Sequence, residues 1–196
     1  MKELKSARRL QKITKIVNSR QFTLRVVLEN IHDPHNVSAI FRTCDAVGIP
    51  KVSLIYYLEK FPKIGKKSSA SAFKWVEKEK FSSVSECFES LKKDGFTIYT
   101  STISDDATDL YKLDFKKKTA IVLGNEHRGV SNEAAKLADK KFKIPMFGMV
   151  QSLNVSVAAA IVLYEALRQR KKKSYYEKSE LNKSDMEELI EKWSRK

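Results

Sequence analysis

Three stretches of this 196-residue chain gather polar side chains beside glycine, proline or a helix start, where they can reach a ligand. The first is HDPHNVSAIFRTCDAVG, residues 32–48. Val37, Ile40, Phe41, Cys44 and Val47 recur at helical spacing, which predicts a helix from about Asn36 to Val47 with that stripe buried. Asn36 then stands at the N-cap, and Ser38, Arg42 and Asp45 share the opposite face. Taken alone, that face is explained as well by a capping Asn36 and an Arg42–Asp45 surface pair as by a site. The second stretch is IVLGNEHRGVS, residues 121–131. A buried strand ends at Gly124, and ligands of open α/β sheets bind beyond the carboxyl ends of strands. Gly124 would let a ligand approach the backbone, with Glu126 projecting into the same crevice; a plain hydrophilic strand-to-helix loop is the alternative. The third is KIPMFGMVQSLNVSVAAA, residues 143–160. Pro145 and Gly148 break a strand and leave an apolar loop, Met146 to Val150. That loop suits either wrapping an apolar, partly aromatic ligand or burial against a second subunit. Ser152 and Asn154 follow at a helix N-terminus, where backbone donors collect anions.

The elements that position these clusters alternate. Residues 4–18 read as a basic helix with Leu10, Ile13 and Val17 on one stripe, and LRVVLE (24–29) as a strand. After the first cluster's helix, stopped by Gly48, come the strand KVSLIYY (51–57) and a loop, FPKIGKKSSASAF, with short structure. A helix over 84–93 ends at Gly95 and leads to the strand FTIYTS (96–101). TAIVLG (119–124) is a short buried strand, followed by a helix near 131–138, the strand KFKI (141–144) and a long helix from about 153 to 172. Ser184 with Glu187 forms a capping box before Met186, Leu189, Ile190 and Trp193, so a final amphipathic helix must pack on something. Strands made of continuous Val, Ile and Leu, alternating with helices, predict an α/β fold: a mainly parallel sheet with helices on both faces.

Composition narrows the function classes. The chain has 38 Lys+Arg against 24 Asp+Glu, a net charge of +14. Residues 1–25 hold eight basic and one acidic residue, and residues 168–196 hold ten basic and six acidic. The excess therefore sits mainly at the two ends, which suits a polyanionic partner gripped by terminal arms, or simply a solvated surface. The two cysteines, Cys44 and Cys87, lack CxxC spacing, and a reduced, intracellular protein is expected. No HxxxH or HExxH pattern occurs, so no metal site is expected. Neither GxGxxG nor GxxxxGK[ST] occurs, which excludes the usual phosphate-cradling loops. No secretory h-region and no apolar run near the ~18 residues of a membrane span are found.

Taken together and in order, the three clusters resemble the three motifs of the SpoU branch of the SPOUT RNA 2′-O-methyltransferases. The resemblance runs from about Arg20 to Arg170. It implies an α/β sheet whose C-terminal part, roughly 119–165, threads into a deep trefoil knot, with helical N- and C-terminal extensions. It further implies a homodimer that binds S-adenosylmethionine through Thr100, Gly124, Ile144, Met149 and Leu153. On the same ground Arg42 is the catalytic arginine, and Asn36, Glu126, Ser152 and Asn154 complete the catalytic set. The nearest members of the branch methylate the 2′-OH of guanosine 18 in the D-loop of tRNA; another tRNA ribose or ribosomal RNA is the alternative substrate. The expected organisation is a basic tRNA-binding extension (1–22), a methyltransferase domain (23–172) and a helical C-terminal extension (173–196). Arg8, Arg9, Lys12, Arg168, Arg170 and Lys171 are the expected RNA contacts, and the expected setting is cytoplasmic, with no membrane. The stretch FPKIGKKSSASAFKWVEKE matches the tRNA members only in outline.

Overall fold

Strands that are apolar on both sides need cover on both sides, and that requirement orders this sheet. The computed structural model describes residues 7–63 and 72–196. In chain order it has α1 (Ala7–Asn18), β1 (Leu24–Glu29), α2 (Pro34–Ala46), β2 (Lys51–Ile55), α3 (Ala72–Trp75), β3 (Glu77–Phe81), α4 (Val84–Lys93) and β4 (Thr97–Ser101). Then follow β5 (Thr108–Asp109), a 3-10 turn (Leu110–Lys112), β6 (Thr119–Leu123), α5 (Asn132–Leu137), β7 (Lys140–Lys143), α6 (Val155–Lys171) and α7 (Lys183–Ser194). The strands form one sheet in the order β3-β2-β1-β6-β4-β7-β5, and every pairing between them is parallel. The runs LRVVLE and TAIVL, buried along their whole length, are its adjacent centre.

Alternation along each strand sends neighbours to opposite faces. Val26, Leu28, Leu54, Ile121 and Leu123 join one core with residues of α2 and α6. Val27, Ile55, Ala120 and Val122 join a second core with α4 and Ala134 of α5. Each fully buried Val, Leu or Ile contributes about 1.5–3 kcal/mol, so these two layers supply the main driving force. Sequence periodicity does not reveal β3 and β5. EKEKF of β3 is polar because it is an edge strand, and its Glu79 accepts a hydrogen bond from Arg25 at 2.8 Å.

Several helix ends differ from the expectation. The N-cap of α2 is Asp33, whose side chain accepts from the His35 amide, and Pro34 opens the helix; Asn36 lies inside it, buried. Asp45 pairs with Arg20, not with Arg42. Asn182, not Ser184, caps α7. Gly48 ends α2 with φ +85°, and a Cβ there would stand 3.0 Å from the Ser19 carbonyl oxygen, so both conformation and space call for glycine. Along α1, Ile13 and Val17 are buried while Leu10 is exposed. Their partner is α7: Trp193, Met186, Leu189 and Ile190 close a third core with them and with Trp75. The helices near the two chain ends therefore pack on each other. Residues 4–6 of the expected first helix and residues 64–71 of the expected loop lie outside the described residues.

Arg170 corrects one expected RNA contact. It is fully buried, and its guanidinium donates to the carbonyl oxygens of Phe115 (2.8 Å), Lys117 (2.9 Å) and Thr23 (3.0 Å) and to the Thr23 hydroxyl (2.8 Å). A phosphate cannot reach it; it fastens the end of α6 to the entry of β1. Arg8, Arg9, Lys12, Arg168 and Lys171 are exposed. Arg170→Ala would leave those buried acceptors unpaired and is expected to cost about 3–5 kcal/mol in urea unfolding, against under about 0.5 kcal/mol for the exposed Lys171→Ala. Equal losses in the two variants would contradict this role for Arg170.

Candidate active site

The three sequence clusters meet beyond the carboxyl ends of the central strands. The loop after β6 carries Glu126, the turn after β1 leads into α2 with Asn36, and the loop after β7 ends at Asn154, the N-cap of α6. One hydrogen-bonded chain joins them. Asn36 Nδ2 donates to Glu126 Oε1 at 2.8 Å, and Asn154 Nδ2 donates to Asn36 Oδ1 at 3.0 Å. Glu126 also accepts from the backbone amides of His32 (3.1 Å) and Asp33 (3.2 Å). Asn154 Oδ1 accepts from the Ser156 amide (2.8 Å) and hydroxyl (2.6 Å), which anchors the chain in the first turn of α6. Asn36 thus has both ends of its amide engaged, and its orientation is fixed.

Partial burial pushes the Glu126 carboxyl up, but the Asn36 amide and the backbone donors around it outweigh that effect and hold it below its ordinary 4.5. Burial, reinforced by the negative charge of Glu126, pushes the Tyr56 phenol up; its hydroxyl donates to the Ile31 carbonyl oxygen at 3.0 Å. Arg42 is exposed on α2, and among the described residues no hydrogen bond or ion pair engages its guanidinium. It stands six residues, about 9 Å of helix rise, beyond Asn36. Ser152 is exposed on the loop before α6. Neither Arg42 nor Ser152 belongs to the hydrogen-bonded chain; their side chains are open to an incoming partner.

The positions expected to hold a cofactor lie at neighbouring strand ends, since β6, β4 and β7 are adjacent. Thr100 sits near the end of β4, Gly124 directly follows β6, and Ile144 directly follows β7. Thr100 is fully buried, and its hydroxyl oxygen has no hydrogen-bond partner among the described residues. A Cβ on Gly124 would fall 2.1–2.2 Å from backbone atoms of Gly129 and Val130, so only glycine lets this loop fold back. Leu153 is half-buried, whereas Met149 and Phe147 are fully exposed. An unsatisfied buried hydroxyl near the end of β4, beside the strand β7 that the apolar loop follows, fits a ligand that is part polar and part hydrophobic. Among the described residues no group of three His, Cys, Asp or Glu could hold a metal ion, and no helix is long and apolar enough to cross a membrane.

Two supports escaped the sequence reading. Asn125 Oδ1 accepts from the amides of His127 (2.9 Å) and Arg128 (3.2 Å), while its Nδ2 donates to the Asn30 carbonyl oxygen at 2.8 Å. An Asn directly after a strand-ending glycine is the signal for such a side-chain turn. Asp33 is the true cap of α2, and its signal is the Asp-Pro pair that follows the first strand.

The acid limb of stability tests the Glu126 anchor. Its pKa is lower folded than unfolded, so the stabilisation it gives is complete above the unfolded value and is lost as pH falls through the folded one. Glu126→Gln should therefore melt below the wild type at neutral pH, with the gap narrowing as the pH falls through and below the ordinary carboxylate range. A gap independent of pH would show that the carboxylate charge does not hold the loops.

Comparison with known proteins agrees with this architecture. Residues 23–164 match the SpoU rRNA Methylase family model. A tRNA (guanosine(18)-2'-O)-methyltransferase of Thermus thermophilus is 44% identical over 196 residues, the whole of both chains. The crystal structure of the A. aeolicus TrmH/SpoU tRNA modifying enzyme superposes with a TM-score of 0.90 at 39% identity, covering 96% of this chain and 95% of that one. AviRb of Streptomyces viridochromogenes, a SpoU methyltransferase solved in complex with the cofactor AdoMet, gives a TM-score of 0.70 at 27% identity over 79% of this chain and 60% of its own. A parallel sheet with three polar loops tied across its strand ends, a family model spanning most of it and a relative matched from end to end lead to one conclusion: the chain belongs to the SpoU methylase family.

Proposed function

We propose that this protein transfers a methyl group from S-adenosylmethionine to the ribose 2′-OH of guanosine 18 in tRNA. The observation that carries the reading is the end-to-end match to a tRNA (guanosine(18)-2'-O)-methyltransferase, in which the terminal helices α1 and α7 are included as well as the catalytic loops. An evolutionary relative with AdoMet bound supports the cofactor.

The site residues fit the needs of that chemistry. S-adenosylmethionine supplies, when bound, an electrophilic methyl on a positively charged sulfur, so that an O–CH3 bond forms as the S–CH3 bond breaks. The C–S electron pair stays with the sulfur, and the protein's task is to present the 2′-OH in line and to polarise its O–H bond, whose proton leaves to water or to the substrate phosphate that Arg42 holds. Arg42 is the exposed cation of α2, and its guanidinium grips a substrate phosphate and orients the hydroxyl. Asn36 and Asn154, locked by the chain from Glu126, and Ser152 form the wall against which the ribose is placed. Backbone groups around Thr100, Gly124, Ile144 and Leu153, with Met149 beside them, would hold the cofactor.

The same reading assigns the remaining parts. Residues 1–22 are an RNA-binding extension, 23–172 the methyltransferase domain with a trefoil knot over about 119–165, and 173–196 a second extension packed on the first. Arg8, Arg9, Lys12, Arg168 and Lys171 grip tRNA phosphates, which makes binding steeply salt-dependent. Exposed Phe147, Met149 and Val150 before α6, with Val157 and Tyr164 along it, are the apolar side chains that a second copy covers in a homodimer. A tRNA substrate puts its work in the cytoplasm.

Methyl transfer from labelled S-adenosylmethionine to a tRNA transcript, with the modified ribose mapped, tests the reading. Label is expected on the 2′-oxygen of guanosine 18; label on a base would refute it, and transfer to ribosomal RNA alone would replace the substrate. Arg42→Ala should lower kcat by about 10²–10³-fold or more with cofactor affinity unchanged in calorimetry. Arg42→Lys retaining full turnover would show that no two-pronged grip is needed.

A further inference from the structure

We propose that the groove between the 3-10 turn Leu110–Lys112 and the last turn of α6 is a docking site for the phosphate backbone of the tRNA, separate from the basic N-terminal helix. The polyanion is named as tRNA on the strength of the function proposed above. The groove measures about 400 Å³, and five cations, Lys112, Lys116, Arg168, Lys172 and Lys173, line it against one carboxylate, Asp114. Lys112 and Lys116 lie in the middle of the chain, outside both of its basic ends. The fold brings them to the basic run that closes α6.

Gln169 is the clasp that joins the two segments. Its Oε1 accepts from the Phe115 amide and its Nε2 donates to the Leu113 carbonyl oxygen, each at 2.9 Å. Buried Glu165 accepts from Gln169 Nε2 at 2.8 Å and from Arg168 Nε and Nη2, each at 2.7 Å. Arg168 is thereby held in one orientation, with Nη1 outside both of those bonds. Among the described residues, Lys116 pairs with Asp114 at 3.4 Å and Arg168 with Glu165, whereas Lys112, Lys172 and Lys173 form no ion pair. Like charges gathered without counter-charges repel one another, and a bound polyanion relieves that repulsion.

The carboxyl end of a helix attracts cations for its own stability, which accounts for Lys172 and Lys173. It does not account for Lys112 and Lys116, which belong to another segment of the chain. Arg168 stands 14 residues beyond Asn154, about 21 Å along α6, so the groove is remote from the ribose that reacts. Contacts to phosphate at that distance fix where the RNA lies and add affinity; they carry no sequence information and take no part in the transfer.

The test measures binding of a tRNA transcript to the full chain over a series of salt concentrations, together with steady-state methyl transfer. Lys112→Ala/Lys116→Ala is compared with Lys93→Ala/Lys136→Ala, which removes the same charge from exposed positions of α4 and α5. The groove pair should raise Kd and KM for tRNA about tenfold and flatten the slope of log Kd against log salt by about 1.4–1.8. Its kcat, its S-adenosylmethionine affinity and its urea midpoint should match the wild type, and the control pair should stay within about twofold of the wild-type Kd. Equal weakening by the two pairs would reduce the groove to part of a diffuse field, and an unchanged slope in the groove pair would mean that no phosphate sits there; either result overturns the proposal. So would a groove pair that loses sedimenting mass while keeping its tRNA affinity, which would make the groove a subunit contact. A wild type that binds tRNA through the groove yet transfers no methyl group would uphold the groove and strike the proposed function.

Discussion

The site depends on one hydrogen-bonded chain, Glu126–Asn36–Asn154, which alone among the described residues runs through all three of its loops. The loops leave β6, β1 and β7, and each alone is a short irregular segment. Asn36 is the hinge of the arrangement: its amide nitrogen donates to Glu126 and its amide oxygen accepts from Asn154. An asparagine suits this place because it offers a donor and an acceptor on one short side chain. Aspartate would face Glu126 with a like charge, and an apolar residue would leave both neighbours unpaired in a partly buried site. The chain ends in the first turn of α6, whose 17 residues, about 25 Å long, carry the constraint down to Arg170.

At that far end the fold uses charge differently. Arg20 and Arg170 are both fully buried, and both tie the terminal segments to the body. Arg20 pairs with Asp45 of α2, donates to the Ile49 carbonyl oxygen and lies 5.0 Å over the Trp193 ring of α7. Arg170 binds the turn before β1 and the approach to β6. Of a strongly basic chain's cations, then, these two serve as internal fasteners while Arg8, Arg9 and Lys12 of α1 remain at the surface. The basic excess of the termini is therefore not all at the surface, and only burial separates the internal cations from the exposed ones.

The sheet was legible wherever apolar residues run nearly unbroken, as in LRVVLE and TAIVL, because a strand covered on both faces has that composition. The helices were legible by their stripes and by Gly48 and Gly95. What the sequence hid was polar structure: β3, written EKEKF, pairs along an edge where water replaces packing, and periodicity carries no signal there. The site was legible as three clusters and as a family resemblance. Its wiring was not, because a buried Asn36 and a capping Asn36 look alike in sequence, and only the fold shows Asp33 taking the cap. Arg170 and Arg168 are likewise indistinguishable until one is seen inside and the other outside.

Because one hydrogen-bonded chain ties the three loops together, non-additivity is its most direct signature. A double-mutant cycle on Asn36→Ala and Asn154→Ala, read as kcat/KM for methyl transfer to tRNA, measures it. The two side chains touch at 3.0 Å and act through one chain, so the double variant should be about as impaired as the worse single variant. Losses that simply add, to within about 0.5 kcal/mol, would contradict the account and leave the two asparagines as independent contacts.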